Sequence, residues 1–277
     1  MRCLNIEKIA LLTKIFNKKL SVGLSLFLLI LVFVLACPFF YGVNPDEIEL
    51  MEIEMPPSIS HPLGTDELGR DVLARTIKGG RISLAVGLLS TIIKMLLSLS
   101  FAFLATNSRT LNAIIMRGID VLLCFPFYVF AFVLIAFFGN SILHLIIIIA
   151  LFSFPQATRL LCTEIHTIQN KEFVYVAQIN GSSNLNILLN QILPLLKKTI
   201  AVIFSTSIAQ AVLMESSLSF LGLGVQEPAT SWGAMLSVAF DIMNIGTKAH
   251  LWLPQGVCVI SLTFSVYLIG EGLNELT

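Results

Sequence analysis

The sequence predicts an all-α, polytopic membrane protein with six transmembrane helices, and three observations carry that reading. Of its 277 residues, 56% are hydrophobic and 12% charged, with a mean hydropathy of +0.89. A soluble domain carries about 25% charged residues. Six apolar runs are close to or within the roughly 17–25 residues that cross ~30 Å of hydrocarbon. Lys and Arg, finally, gather on alternate connecting segments, as membrane topology requires.

The first run covers residues 20–43. Before it, Leu4 to Lys19 alternates Ile and Leu with Lys at helical spacing. This segment reads either as an amphipathic helix on the inner membrane face or as a basic anchor. Leu35-Ala36-Cys37 after a basic stretch resembles a lipoprotein signal. Apolar residues continue past Cys37 to Val43 and five runs follow, so a retained span is expected. The second run covers 82–106. The third, 121–138, and the fourth, 142–157, are separated by a tight Gly139-Asn140-Ser141 turn. The fifth covers 199–223 and the sixth 251–270.

With the N-terminus inside, inner segments hold Arg2, Lys8, Lys14, Lys18, Lys19, Arg109, Arg117, Arg159, Lys171, Lys197 and Lys198. Outer segments hold Arg70, Arg75, Lys78, Arg81 and Lys248. Eleven against five places both termini in the cytoplasm, together with the polar loop at 172–194. Net charge is zero and no Lys/Arg run suits nucleic acid. Cys3, Cys37, Cys124, Cys162 and Cys258 are scattered without a C-x-x-C pair or a His cluster. They read as small buried hydrophobes, and no metal site is expected.

No G-x-x-x-x-G-K-[ST] phosphate loop, H-E-x-x-H or G-x-S-x-G motif occurs. Uphill transport would therefore draw on an ion gradient or on a separate ATPase. Lys94, mid-way along the second run, and Glu215, inside the fifth, are the intramembrane polar candidates. Such groups are costly unless paired or hydrated. Either the two meet across the bundle, or Glu215 faces a translocation path, or Lys94 snorkels into a helix crevice. So few charges favour the separate ATPase over ion coupling.

The 172–194 loop reads as a helix–Gly–helix hairpin. Phe173, Val174, Ala177 and Ile179 give its first helix a partly apolar surface, Gly181 lets the backbone leave the helix, and Pro194 disfavours its unbroken continuation. A hairpin of this kind between two spans offers a handle to a soluble partner.

The loop resembles the EAA loop of bacterial ABC-importer permeases, whose pattern is Glu-Ala-Ala, three residues, Gly, nine residues, Ile-x-Leu-Pro. Ala177, Gly181, Leu193 and Pro194 match in register. Tyr175 and Val176 stand where the pattern has Glu-Ala, and Gln191 replaces its Ile. Residues 61–73, His-Pro-Leu-Gly-Thr-Asp-Glu-Leu-Gly-Arg-Asp-Val-Leu, resemble a signature of the dipeptide/oligopeptide/nickel permease subfamily through Gly64, Thr65, Asp66, Gly69, Arg70 and Asp71. Residues 219–235 resemble a second, through Gly222, Gly224, Trp232 and Gly233, and Gly270-Glu271-Gly272 falls in the family's C-terminal pattern.

This resemblance spans nearly the whole chain in the right order. It implies a type I ABC importer permease fold and a C-type subunit of a binding-protein-dependent importer in the bacterial inner membrane. It implies an N-terminal part at 1–81 (cytoplasmic helix, first span and extracytoplasmic loop) and a five-span core at 82–277 with a coupling loop at 159–198. The implied partners are a homologous but distinct permease forming a heterodimer, two cytoplasmic ATPase subunits, an extracytoplasmic solute-binding protein and the lipid bilayer. Glu172, Tyr175, Val176, Ala177, Gly181, Leu193 and Pro194 would form the ATPase-docking loop. The chain itself would hold no cofactor and perform no catalysis, ATP and Mg residing on the partner subunits. Dipeptides or oligopeptides are the implied solute, with nickel or a nickel chelate as the alternative. From the residues alone, a secondary transporter would need coupling residues or an internal repeat. An intramembrane protease would need a nucleophile–base pair, and Ser216 and Ser217 beside Glu215 show no such arrangement.

By themselves, residues 61–73 read as a charged turn pinning the first span to the second, or as a contact for solute or binding protein. Residues 220–235 suit a loop that dips back toward the bilayer and packs on its neighbours.

Overall fold

The computed structural model describes residues 18–275, so the N-terminal amphipathic segment falls outside the described residues except for its last two positions. The regular elements among the described residues are all helices, with one isolated β-bridge, Thr65 to Asp71. Helix α1 spans Lys18–Phe40 and α2 spans Val72–Asn107. The bent pair is α3 (Arg109–Cys124) and α4 (Phe127–Phe138), followed by α5 (Ile142–Gln169). The hairpin comprises α6 (Glu172–Ile179), α7 (Asn184–Ile187), a π turn at Leu188–Ile192 and α8 (Leu193–Leu195). Then come α9 (Lys197–Phe220), α10 (Trp232–Leu236), α11 (Ile242–Thr247) and α12 (Ala249–Glu275).

Five of these helices are long and apolar enough to cross a membrane, and the count is six if α3 and α4 form one broken span. That pair corrects the single span expected at 121–138. Its two helices meet at 88° across Phe125-Pro126. A residue before proline is pushed out of the helical region, and proline has no N–H to donate. Phe125 and Pro126 accordingly adopt extended backbone, with ψ of 133° and 125°.

Other boundaries extend beyond the apolar runs because helix ends are set by capping, not by hydropathy. Helix α2 begins ten residues before the expected start, at Asp71, whose carboxylate accepts from the Ala74 N–H at 2.7 Å. Such a cap contributes about 1 kcal/mol. At 36 residues, α2 is about 54 Å long, well beyond the ~30 Å of hydrocarbon. Helix α5 likewise continues twelve residues past Ala157.

The core sits around α2. Its buried face carries small side chains at helical spacing: Gly79, Ser83, Gly87, Ser90, Thr91, Ser98, Ala102 and Ala105. Lipid tails are as apolar as side chains, so helices in a membrane gain from close backbone approach along such faces. Helix α2 packs this face on α5 and α9, while α12 packs on α1 and α9. At Gly87 a methyl group would lie 2.5 Å from Val212 Cγ2 of α9. Lys19 near the start of α1 pairs with Glu271 at 3.4 Å and Glu275 at 2.5 Å on α12, so the two ends of the described chain share one end of the bundle. Leu28, Leu29, Val32, Val257, Ile260 and Phe264 point outward, as lipid-facing residues do.

Candidate functional site

Four arrangements bring the sequence-predicted residues into position, beginning with the hairpin. Helix α6 opens with Glu172 in its first turn, where a carboxylate favours the helix dipole. It closes by a Schellman motif: the Ser182 N–H donates to the Ala177 carbonyl and the Gly181 N–H to the Gln178 carbonyl, both at 3.0 Å. Gly181 takes φ = +81°, the left-handed region that a side chain disfavours.

Val174 and Ala177 are buried against Ile165, Ile168, Ile187, Ile192 and Leu196. Ala177 thus packs into the bundle. On the opposite side Tyr175 is 52% exposed, Val176 56% and Ile179 84%. Helical turns run on to Pro194 itself, which was expected to disfavour them. The π turn accommodates it, the Leu193 N–H donating to the Leu188 carbonyl. Leu193 is half-buried there; Pro194 and Glu172 are exposed.

At the opposite end of the bundle, residues 61–73 and 219–235 meet. Asp66 folds its own turn by accepting from the Leu68 and Arg70 N–H groups at 2.9 and 3.0 Å. Its other oxygen accepts from Arg70 Nε at 2.8 Å and faces Arg75 Nη1 at 3.2 Å. Both guanidiniums then reach Glu227 in the second segment, Arg70 at 2.9 Å and Arg75 at 2.7 Å. They border a cavity of about 170 Å³ that also touches Met235 and Leu251. Gly64 and Gly69 both take positive φ, and a methyl group on Gly69 would lie 1.9 Å from the Glu49 carbonyl oxygen. Thr65 is buried, its hydroxyl accepting from the Met55 N–H at 2.8 Å and donating to the Glu52 carbonyl.

Asp71 joins three elements. Besides capping α2, its second carboxylate oxygen accepts from the Tyr41 hydroxyl at 2.8 Å and lies 2.8 Å from His61 Nδ1. His61 Nε2 in turn faces Glu52 at 2.9 Å. The hydrogen bond to Asp71, reinforced by the charges of Asp71 and Glu52, raises the His61 pKa against a smaller lowering by burial. Burial and then donation to Asp71 push the Tyr41 phenol well above its ordinary value.

Inside the bundle, Trp232 is fully buried, donating from Nε1 to the Thr76 carbonyl at 2.8 Å. Gly233 lies against Ser216 and Gly224 against Ser219, while Gly222 turns the chain at φ = +78°. Glu215, also fully buried, accepts from Ser83 at 3.0 Å and Ser219 at 2.6 Å, with Ser216 at 3.5 Å. Ser83 also accepts the Trp232 N–H at 3.2 Å, so this serine cage ties α2, α9 and α10 together.

Lys94 and Glu215 do not meet, since Lys94 donates instead to Gln210 Oε1 at 3.2 Å. Tyr41, Glu52, Gln210 and Glu227 are participants that sequence reasoning missed. Only Glu227 carried a signal, being an acid inside the 219–235 segment.

The sequence model described as "Binding-protein-dependent transport system inner membrane component" matches residues 94–275. A candidate peptide permease protein of Brucella suis is 34% identical over 260 residues, 94% of this chain and 86% of that one. The oligopeptide transport system permease protein OppC of Escherichia coli is 32% identical over 262 residues, with the same two coverages. The glutathione transport system permease protein GsiD of Pectobacterium atrosepticum is 34% identical over 220 residues, 79% of this chain and 72% of that one.

Proposed function

The chain belongs to the family of inner membrane components of binding-protein-dependent transport systems, and from that premise we propose that it is the C-type permease subunit of an ATP-driven importer of oligopeptides. Membership makes it a multi-pass inner membrane transport subunit, served by a solute-binding protein and an ATPase, and displaces the secondary-transporter alternative. The peptide assignment draws on relatives named for peptide, oligopeptide and glutathione transport.

In this reading the hairpin lies in the cytoplasm, as do both termini, in agreement with the basic-residue asymmetry. Two ATPase subunits hold ATP and Mg, and one of them docks on this chain. A homologous second permease pairs with it to enclose the path. The binding protein approaches the junction of residues 61–73 with 219–235, where Arg70, Arg75 and Glu227 tie the two segments together. The 1–81 and 82–277 division and the coupling loop at 159–198 belong to the same reading.

The observation that carries the docking assignment is the two-sidedness of α6. Val174 and Ala177 fasten it to the bundle while Tyr175, Val176 and Ile179 project an apolar stripe of three side chains. A short helix so fixed transmits displacement: an ATPase that moves α6 moves Ile192 and Leu196, and with them the start of α9.

Co-purification tests this. A Val176→Asp/Ile179→Asp double variant should insert and pair with its permease partner, yet lose the ATPase and abolish uptake. ATPase retention with undiminished uptake would refute the docking assignment. Changes at Ala177 or Gly181 test something else, because they disturb the fold of the hairpin.

A further inference from the structure

Lys94 is 4% exposed and lies mid-way along the buried face of α2. Its hydrogen-bond partner, Gln210, is on the exposed surface of α9. No ion pair of Lys94 occurs among the described residues, and the acid of the neighbouring helix, Glu215, is satisfied by Ser83, Ser216 and Ser219. A charge held inside a membrane protein without a counter-ion is expensive; such groups face the bundle interior or a water-filled cavity and mark solute or ion pathways.

The surface on which Gln210 lies, beside Lys94, differs from a lipid-facing one. Along α9, Thr206, Gln210, Leu213 and Ser217 recur at three- and four-residue spacing and so share one outward face. From Leu213 toward Phe220 that face lines an open groove of about 470 Å³ with Tyr128, Leu221 and Leu236. The groove is predominantly apolar, and the ammonium–amide pair stands one helical turn beyond its edge.

We infer that Lys94, presented by Gln210, binds the C-terminal carboxylate of the translocated peptide while the groove beside Leu213 and Phe220 takes an adjoining apolar side chain. From Gln210 to Ser217 is about 10 Å along the helix, the length of roughly three extended residues. An ammonium with N–H groups free of further partners among the described residues supplies a charge-assisted hydrogen bond, which a neutral amide terminus receives far more weakly. Gln210 fixes the long side chain without neutralising it, so the charge stays available to the solute. The inference rests on the peptide reading of the solute and adds a selectivity element that belongs to the permease itself.

The test uses the complete transporter in proteoliposomes with its binding protein, and trileucine and trileucine amide as probes. Uptake is normalised to the amount of each probe held by the binding protein, and ATP hydrolysis is followed in parallel. Wild type should favour the free acid by about tenfold, the scale of one charge-assisted hydrogen bond. Lys94→Met should bring the ratio close to one with amide uptake retained, and Lys94→Arg should keep the preference. An unchanged ratio in Lys94→Met, an absent preference in wild type, or equal loss of acid and amide in Lys94→Met would each overturn the inference. The last result would assign Lys94 to packing or to a carboxylate of the partner permease. A wild-type transporter that hydrolyses ATP yet imports neither probe would refute the peptide reading, and the inference would fall with it.

Discussion

Adding one methyl group at Gly80 places a carbon 2.6 Å from Trp232 Cζ2, 2.9 Å from its Cε2 and 2.8 Å from Val34 Cγ2. Carbon atoms in contact sit at about 3.5–4.0 Å, so the neighbours must retreat by roughly 1 Å. Trp232 has little room, being fully buried and held by its bond to the Thr76 carbonyl. Gly80→Ala should therefore cost about 1–3 kcal/mol, the range for an overpacked core. Trp232→Phe loses the indole hydrogen bond, about 1 kcal/mol, and a further amount for the volume left empty.

The two changes should not add. A phenyl ring at position 232 lacks the benzo edge that the new methyl meets, so the double variant should be less damaged than the sum of the singles. A coupling of about 1 kcal/mol lies within the range for residues in contact. Detergent-denaturation titrations of the purified subunit, followed by circular dichroism, give all four corners of the cycle. Additivity to within roughly 0.3–0.5 kcal/mol would refute the predicted clash between the added methyl and the Trp232 ring.

Two further predictions concern the junction of residues 61–73 with 219–235. The His61 pKa is raised by Asp71 and Glu52, so the stabilisation it contributes is complete below its unfolded value near 6.5 and is lost as pH rises through the higher folded value. His61→Gln should flatten that decline in thermal stability, and an unchanged pH profile would exclude the His61–Asp71 contact as its source. Gly69→Ala combines positive φ with a methyl group 1.9 Å from the Glu49 carbonyl oxygen. It should cost at least the roughly 1–2 kcal/mol of left-handed backbone and speed proteolysis of the segment before α2; protection equal to wild type would count against it.

Most of the helical layout was legible because crossing a membrane demands long apolar runs, and hydropathy finds those directly. What hydropathy does not encode is where a helix stops once it leaves the hydrocarbon. Asp71 ends the loop and starts α2 through a side-chain cap, well before the apolar residues begin. Pro126 breaks a run that is apolar on both sides of it.

In the candidate sites, family motifs pointed to Asp66, Arg70 and Trp232, but a linear pattern contains no distances. Glu227 lies more than 150 positions from the arginines it binds. For the same reason the only two mid-span charges, Lys94 and Glu215, invited a pairing that the fold does not make. Ala177 matched the loop pattern and is buried against the bundle, since one helix turn cannot show from its letters which side is already occupied.

Helix α2 runs uninterrupted and without proline from the Asp71 cap to Asn107, which borders a cavity shared with Tyr175 and Gln178 of α6. It is thus a single rod with one end at the junction of residues 61–73 with 219–235 and the other beside the 172–194 hairpin. A rod needs no relay of side chains to carry a signal: tilting about its middle by ten degrees swings the two ends in opposite directions by about 5 Å each, given a length of ~54 Å. Opening at one membrane face and narrowing at the other are then two readings of the same rotation.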